Sequence, residues 1–291
     1  MAALALCLGG CVHPPPKFQF PTAEDALVRM KQGFACANGV HGIGKIDHRS
    51  PDQGRVRGEI SIFALNPARV RIDVINPFGA MLFTLTSTSR EFQMLDFQQK
   101  QLLEGAASAC NLARLTKVPV PGHVLVTLLR GEAPLLAHQP EAATLAWDGS
   151  DGFYRVRIKG NHDAEQEVRL GVHEDDFDKP WQDQRLRVVG VTTQQEGYVL
   201  YDAELRNHEV AHTAKPLEDE MGVDEDVPPS GGPCDIEVPR SIRVEVPSTA
   251  DDVIFQYKSL DLNPPVEQGY FYQTLPPGTE RVRVECDDAS R

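Results

Sequence analysis

Basic residues are scarce in this chain, and they are missing unevenly. Its 291 residues carry 29 Lys and Arg against 42 Asp and Glu, a net charge of −13. Between 217 and 237 there are eight acids and no Lys or Arg. That balance excludes a nucleic-acid groove or a polybasic membrane patch. No Cys-x-x-Cys spacing occurs among the six cysteines, which argues against a cysteine metal site. There is no Gly-x-Ser-x-Gly and no phosphate-binding loop, so the common nucleophile elbow and nucleotide cradle are absent. The acidic stretch lacks EF-hand spacing and reads as a solvated loop. Beyond Cys11, no apolar run approaches the ~20 residues of a membrane-crossing helix.

What is present starts with an apolar, small-residue leader, MAALALCLGGC. Leu8-Gly-Gly-Cys11 has the form of a lipobox, in which a peptidase cuts before a cysteine whose thiol carries lipid. Residues 1–10 are therefore expected to be a signal peptide. Residues 11–21, with Pro14-Pro15-Pro16, are expected to be a stiff lipidated tether. Val12 as the second mature residue points to the outer membrane. An ordinary cysteine on a frayed apolar terminus is the alternative.

With Cys7 and Cys11 set aside, Cys36, Cys110, Cys234 and Cys286 remain. In an exported protein four thiols suggest two disulfides, with three possible pairings. The expectation is one bridge per half, Cys36–Cys110 and Cys234–Cys286; free buried thiols are the alternative.

Periodicity predicts a mainly β chain. Thr22-Ala-Glu-Asp25 caps a first helix ending near Gly33. A glycine-rich strand follows from Val40, then Gly58 to Leu65 and Arg69 to Val74, with Ile60, Ile62, Val70, Ile72 and Val74 on apolar faces. Short strands at 81–86, 91–96 and 100–104 suggest a curved antiparallel meander. Helices are expected over 106–115 and 123–130, the second stopped by Gly131. Five strands are expected between 144 and 207, then an acidic loop insertion at about 215–237, in which Ser230-Gly-Gly reads as linker, and two or three closing strands. Residues 22–291 read as a single domain.

The stretch RVRIDVINPFGAMLFTL, Arg69 to Leu85, is unusual because it sets an aromatic, Phe78, at a turn tip. Together with Leu112-Ala-Arg-Leu-Thr-Lys-Val-Pro-Val-Pro121 and Leu128-Leu-Arg-Gly131, it resembles the LolB family of outer-membrane lipoprotein receptors. The resemblance covers about Ala23 to Gly131. Beyond Trp147 it is a general likeness to the LolA/LolB carrier superfamily, ending in Leu260-Asp-Leu-Asn263, Gly269-Tyr-Phe-Tyr272 and Pro277-Gly278. Lys179 to Pro239 is enlarged and acidic by comparison.

The resemblance implies an incomplete antiparallel β-barrel wrapped around a helical lid, with an apolar cavity for the acyl chains of lipid-modified proteins. It also implies a periplasmic LolA-like carrier as partner, and no cofactor. Asn76, Pro77, Phe78 and Gly79 would form a membrane-insertion loop. The expected cavity lining is Ile60, Ile62, Val70, Ile72, Val74, Phe83, Leu85, Leu112, Leu115, Leu125, Leu128 and Leu129. From residues alone these are equally core, and Phe78 could fold back on the sheet.

Two other readings stand beside this one. The chain could be an envelope lipoprotein with a scaffold or sensing role. It also contains His208-Glu-Val-Ala-His212, which has zinc-hydrolase spacing, with His208 and His212 as ligands and Glu209 as base. That chemistry needs a helix. Here Val199, Tyr201, Ala203 and Leu205 alternate with polar residues, so the motif is expected on a strand with Glu209 facing away from both histidines.

Overall fold

The computed structural model describes residues 12–52, 54–76, 78–217 and 226–286. The expected signal peptide, Cys11, Pro77 and the centre of the acidic stretch lie outside the described residues. Among these residues three α-helices, α1 (Ala23–Phe34), α2 (Ala109–Thr116) and α3 (Gly122–Leu129), accompany fourteen strands in one open sheet. Six strands precede α2: β1 (Gly39–Ser50), β2 (Gly54–Leu65), β3 (Arg69–Ile75), β4 (Met81–Ser87), β5 (Glu91–Asp96) and β6 (Gln101–Ala106). Eight follow α3: β7 (Ala143–Asp148), β8 (Phe153–Lys159), β9 (Ala164–Val172), β10 (Leu186–Gln195), β11 (Tyr198–His212), β12 (Asp235–Val246), β13 (Asp251–Leu262) and β14 (Glu280–Arg283). The sheet order is β14-β6-β5-β4-β3-β2-β1-β13-β12-β11-β10-β9-β8-β7, which is consistent with an incomplete barrel.

Both halves are antiparallel meanders, as the alternating segments predict. The sequence pattern does not reveal that β13 returns to pair with β1, Val40 opposite Leu262, or that β14 runs parallel beside β6. The β1 glycines make the first junction possible. A Cβ on Gly42 would lie 2.4 Å from the Tyr257 ring, and the register shifts between Ile43 and Gly44.

This topology overturns the expected disulfide pairing. The bridges are Cys36–Cys234 and Cys110–Cys286, with Cα atoms 5.3 and 6.2 Å apart. Cys36 leads into β1 and Cys234 leads into β12, one strand beyond β13. β14 carries Cys286 along β6 to the start of α2. A pairing by sequence halves fails because each half of the chain closes on the other.

The helices cover one face. Thr22 caps α1 by accepting the Asp25 amide at 3.1 Å, and the helix runs one residue past Gly33 before ending. Ala26, Leu27, Met30 and Phe34 are buried in the same core as the sheet, where α1 packs on β7 and β10 and α3 on β2 and β3. Gly131 ends α3 in a left-handed turn at φ +84°, its amide bonded to the Leu128 carbonyl at 2.9 Å. The opposite face of β3 to β5 is covered by the C-terminal segment. Gln273 donates to the Thr84 and Gln93 carbonyls at 2.9 and 3.2 Å, and Arg71 lies 4.8 Å over the Tyr270 ring.

Strand direction divides the connections between two rims. The β1–β2, β3–β4, β5–β6, β8–β9, β10–β11 and β12–β13 turns share one rim. The other rim carries the β7–β8 turn, Cys36 and Cys234. Strands of seven to twelve residues separate the rims by about 23–40 Å.

Candidate functional site

The β3–β4 turn is built to hold Phe78 outward. The Asn76 side-chain carbonyl accepts from the amides of Phe78 and Ala80, each at 2.9 Å. The Asn76 amide donates to the Ala80 carbonyl at 2.9 Å, and the Gly79 amide to the Asn76 carbonyl at 3.0 Å. Gly79 takes φ +84°, which favours glycine. Phe78 is 94 % exposed, the most exposed large apolar side chain among the described residues. It does not fold back on the sheet.

The expected cavity residues separate into two groups. Ile60, Ile62, Val70, Ile72, Leu85, Leu112, Leu125, Leu128 and Leu129 are at most 2 % exposed and belong to one packed core. At that exposure they touch no space a water molecule could enter, so this conformation fills the expected cavity with the protein's own side chains. Val74, Phe83 and Leu115 are only half-buried. Register carries this uncovered surface across the sheet. Val74 lies opposite Phe83, Leu85 opposite Met94, and Met94 opposite Leu103. Ile46, Val74, Met94, Leu103 and Leu115 pack half-buried against the core. The result is an apolar shelf on the helix-bearing face, running from beneath the Phe78 turn towards α2. Met94 and Leu103 were missed because strands this short do not reveal which face is inner. The signal that would find them is pairing with Leu85, a core residue.

The covering helices are pinned by polar anchors that sequence reading also missed. Arg130, just past α3, is buried. It donates to the Asn66 side chain at 2.6 Å and to the Ala37 carbonyl. Burial lowers its pKa, against the pull of Glu132. The Tyr257 hydroxyl donates to the Leu129 carbonyl at 3.2 Å, tying α3 to β13. Asn263 is fully buried. It accepts the Asn38 amide at 2.6 Å and donates to the carbonyls of Cys36 and Gly232 at 2.9 and 2.8 Å. The Ser230-Gly-Gly stretch is thus tied to the body and is not a free linker.

The HEVAH motif lies on β11, as its approach pattern predicts. His208 Nε2 is 3.0 Å from the Val188 carbonyl oxygen, which fixes the ring as a donor there. Burial lowers its pKa to about 4. Glu209 accepts from Arg240 at 3.0 Å, and His212 pairs with Asp235 at 2.8 Å. Among the described residues, no three His, Cys, Asp or Glu side chains come together as a metal-binding group. No described helix is long and apolar enough to cross a membrane.

No family model and no curated protein matches the chain. Among solved structures it is similar to a DUF1329 family protein from Desulfovibrio piger, at 9 % identity and TM-score 0.49, covering 86 % of this chain and 95 % of that one. It is similar to a LolA superfamily protein from Nitrosomonas europaea at 11 % identity and TM-score 0.47, covering 86 % and 98 %. A putative outer membrane lipoprotein-sorting protein domain from Vibrio parahaemolyticus gives 8 % identity and TM-score 0.46, covering 86 % and 96 %. Each is a distant likeness.

Proposed function

We propose that this chain is an envelope lipoprotein, anchored through Cys11 in the outer membrane, that receives acyl chains of lipid-modified proteins or other lipid cargo and passes them on. The observation that carries the reading is the continuity between a fully exposed, rigidly held Phe78 and the half-buried shelf of Val74, Phe83, Met94, Leu103 and Leu115. An acyl chain needs only apolar contact, worth about 0.8 kcal/mol per buried methylene, and no catalytic group. In the packed conformation the shelf is a docking ledge. Deeper insertion requires α3 to lift from β2 and β3, opening the core beneath it. The aromatic tip is the first contact with whatever supplies or accepts the cargo, a bilayer or a carrier protein.

The test is binding and transfer of a fluorescent acyl-chain probe. Met94→Glu places a charge on the shelf and should weaken binding at least tenfold. Phe78→Glu should leave binding and stability unchanged, because it removes no packing, yet slow transfer at least tenfold. Equal binding by the Met94 variant and wild type would contradict the shelf assignment.

A further inference from the structure

The sheet forks between β10 and β11. Their ladder runs from Gln195 opposite Tyr198 to Gly190 opposite Glu204 and stops there, although β10 begins at Leu186 and β11 continues to His212. Two local features turn the strands apart. The register of β10 on β9 shifts between Val188 and Gly190, and the Arg169 side chain fills the place that a Gly190 Cβ would take, 2.2 Å from Nε. In β11, Asn207 adopts φ +57°. Past the fork β10 pairs with β9 and β11 with β12. Along residues 208–212, half the backbone N–H and C=O groups of β11 therefore pair with no strand among the described residues. Two side chains span the base of the fork. His208 donates to the Val188 carbonyl at 3.0 Å, and Arg187 pairs with Glu237 of β12 at 2.6 and 2.7 Å.

The fork holds an opening of about 180 Å³, lined by Leu186, Val210 and Ile236 from the strands and by Gly33 and Phe34 from α1. Val210 is 50 % exposed, and a Cβ on Gly33 would meet nothing within 4 Å, so the chain's own side chains leave this space unfilled. An apolar cavity of ~150 Å³ admits a benzene-sized group, so this one admits a Val, Leu or Phe side chain. Of the charged side chains around it, Arg185 pairs with Asp176 at 2.8 Å, Glu237 with Arg187, and Asp235 with His212 at 2.8 Å. Arg29 is the charge left over. Its Nε donates to the Gln184 carbonyl at 2.8 Å, and its two terminal nitrogens have no partner among the described residues.

We propose that the fork binds the carboxyl-terminal end of an extended peptide whose last residue is apolar. Three features each recognise one part of such an end. The free edge of β11 takes the peptide backbone as an added strand, the opening takes the last side chain, and the Arg29 guanidinium takes the carboxylate. A small apolar acid would use the opening and Arg29 but leave the strand edge unpaired. His208 closes the base of the fork, so about three or four peptide residues lie alongside 209–212, at ~3.3 Å per residue. In the sheet order β2, β1 and β13 separate this site from the ledge strands β3 to β6, and the proposal does not rest on lipid handling.

Fluorescence anisotropy on the full chain tests this, with amino-terminally labelled peptides Lys-Thr-Val-Thr-X in which X is Val, Leu or Phe. At least one free-acid peptide should bind, and at least tenfold more tightly than the same peptide with an amidated carboxyl terminus. Methylating its backbone nitrogens, which removes strand hydrogen bonds, should weaken it as much. Gly33→Leu fills the opening from an ordinary helical position, so it should weaken binding at least tenfold without lowering the thermal midpoint. Arg29→Gln should make free-acid and amidated peptides bind alike, while binding of an acyl-chain probe stays as in wild type. Failure of all three free-acid peptides to bind would overturn the proposal. So would equal binding of the amidated peptide, or wild-type binding by Gly33→Leu. Undiminished binding of the methylated peptide would show a site for small acids and overturn strand addition.

Discussion

Phe78 and His208 show how far single side chains can be read. The tip position of Phe78 follows from Asn76 and Gly79, both visible in the sequence. Its outward direction does not, because it depends on two amides reaching one Asn76 oxygen. For His208 the motif suggests a metal ligand, while the strand period puts it on a strand, and it lies on β11. Burial favours its neutral form, and the bond to the Val188 carbonyl only partly opposes that. Above the ordinary value of 6.5 the ring is neutral in both folded and unfolded chains, so it adds no pH dependence. Between 6.5 and about 4 the unfolded chain takes up a proton that the folded chain refuses. Stability should therefore fall as pH falls through this window, by at most about 1.4 kcal/mol per pH unit from this group. His208→Gln should flatten that part of the urea-midpoint profile. A slope identical to wild type would remove His208 from the account.

Elements were more legible than their partners. The caps, the period-two strands and the Gly131 stop are local signals, and the helices and most strands fall where those signals put them. Gly131 also carries a tertiary constraint that no local pattern contains. At φ +84° a Cβ there would sit 2.2 Å from the Pro239 ring on β12. Gly131→Ala should cost on the order of 3 kcal/mol, from backbone strain and overpacking together, seen as a lowered denaturation midpoint. An unchanged midpoint would mean that the turn at Gly131, just past α3, does not pack against Pro239 of β12. The disulfides make the same point about long range. Their loops span 198 and 176 residues, and each contributes on the order of 4–5 kcal/mol if unfolded-chain entropy dominates. Peptide mapping without reduction should recover Cys36 linked to Cys234 and Cys110 linked to Cys286. A Cys36–Cys110 peptide would contradict the closure of β13 on β1.

The whole molecule is one sheet grown outward from the β1–β13 seam, with its helices on one face and its C-terminal segment on the other. Mainly β character with helical cover could be read from periodicity. The expected lining could not be divided into core and surface, because a sealed wall and a packed core have the same apolar faces. Coordinates make that division. They place most of the named residues in the core and leave Val74, Phe83 and Leu115, with Met94 and Leu103, as the accessible ledge. The lipid-handling account thus depends on a ledge that binds and a cover that lifts. Mass spectrometry of ligands released from protein purified out of its own membrane tests it most directly. The account predicts an acyl-bearing lipid or lipid-modified protein at near one per chain, reduced at least tenfold by Met94→Glu. Protein that carries no such ligand, or carries it equally in the Met94→Glu variant, would contradict the account.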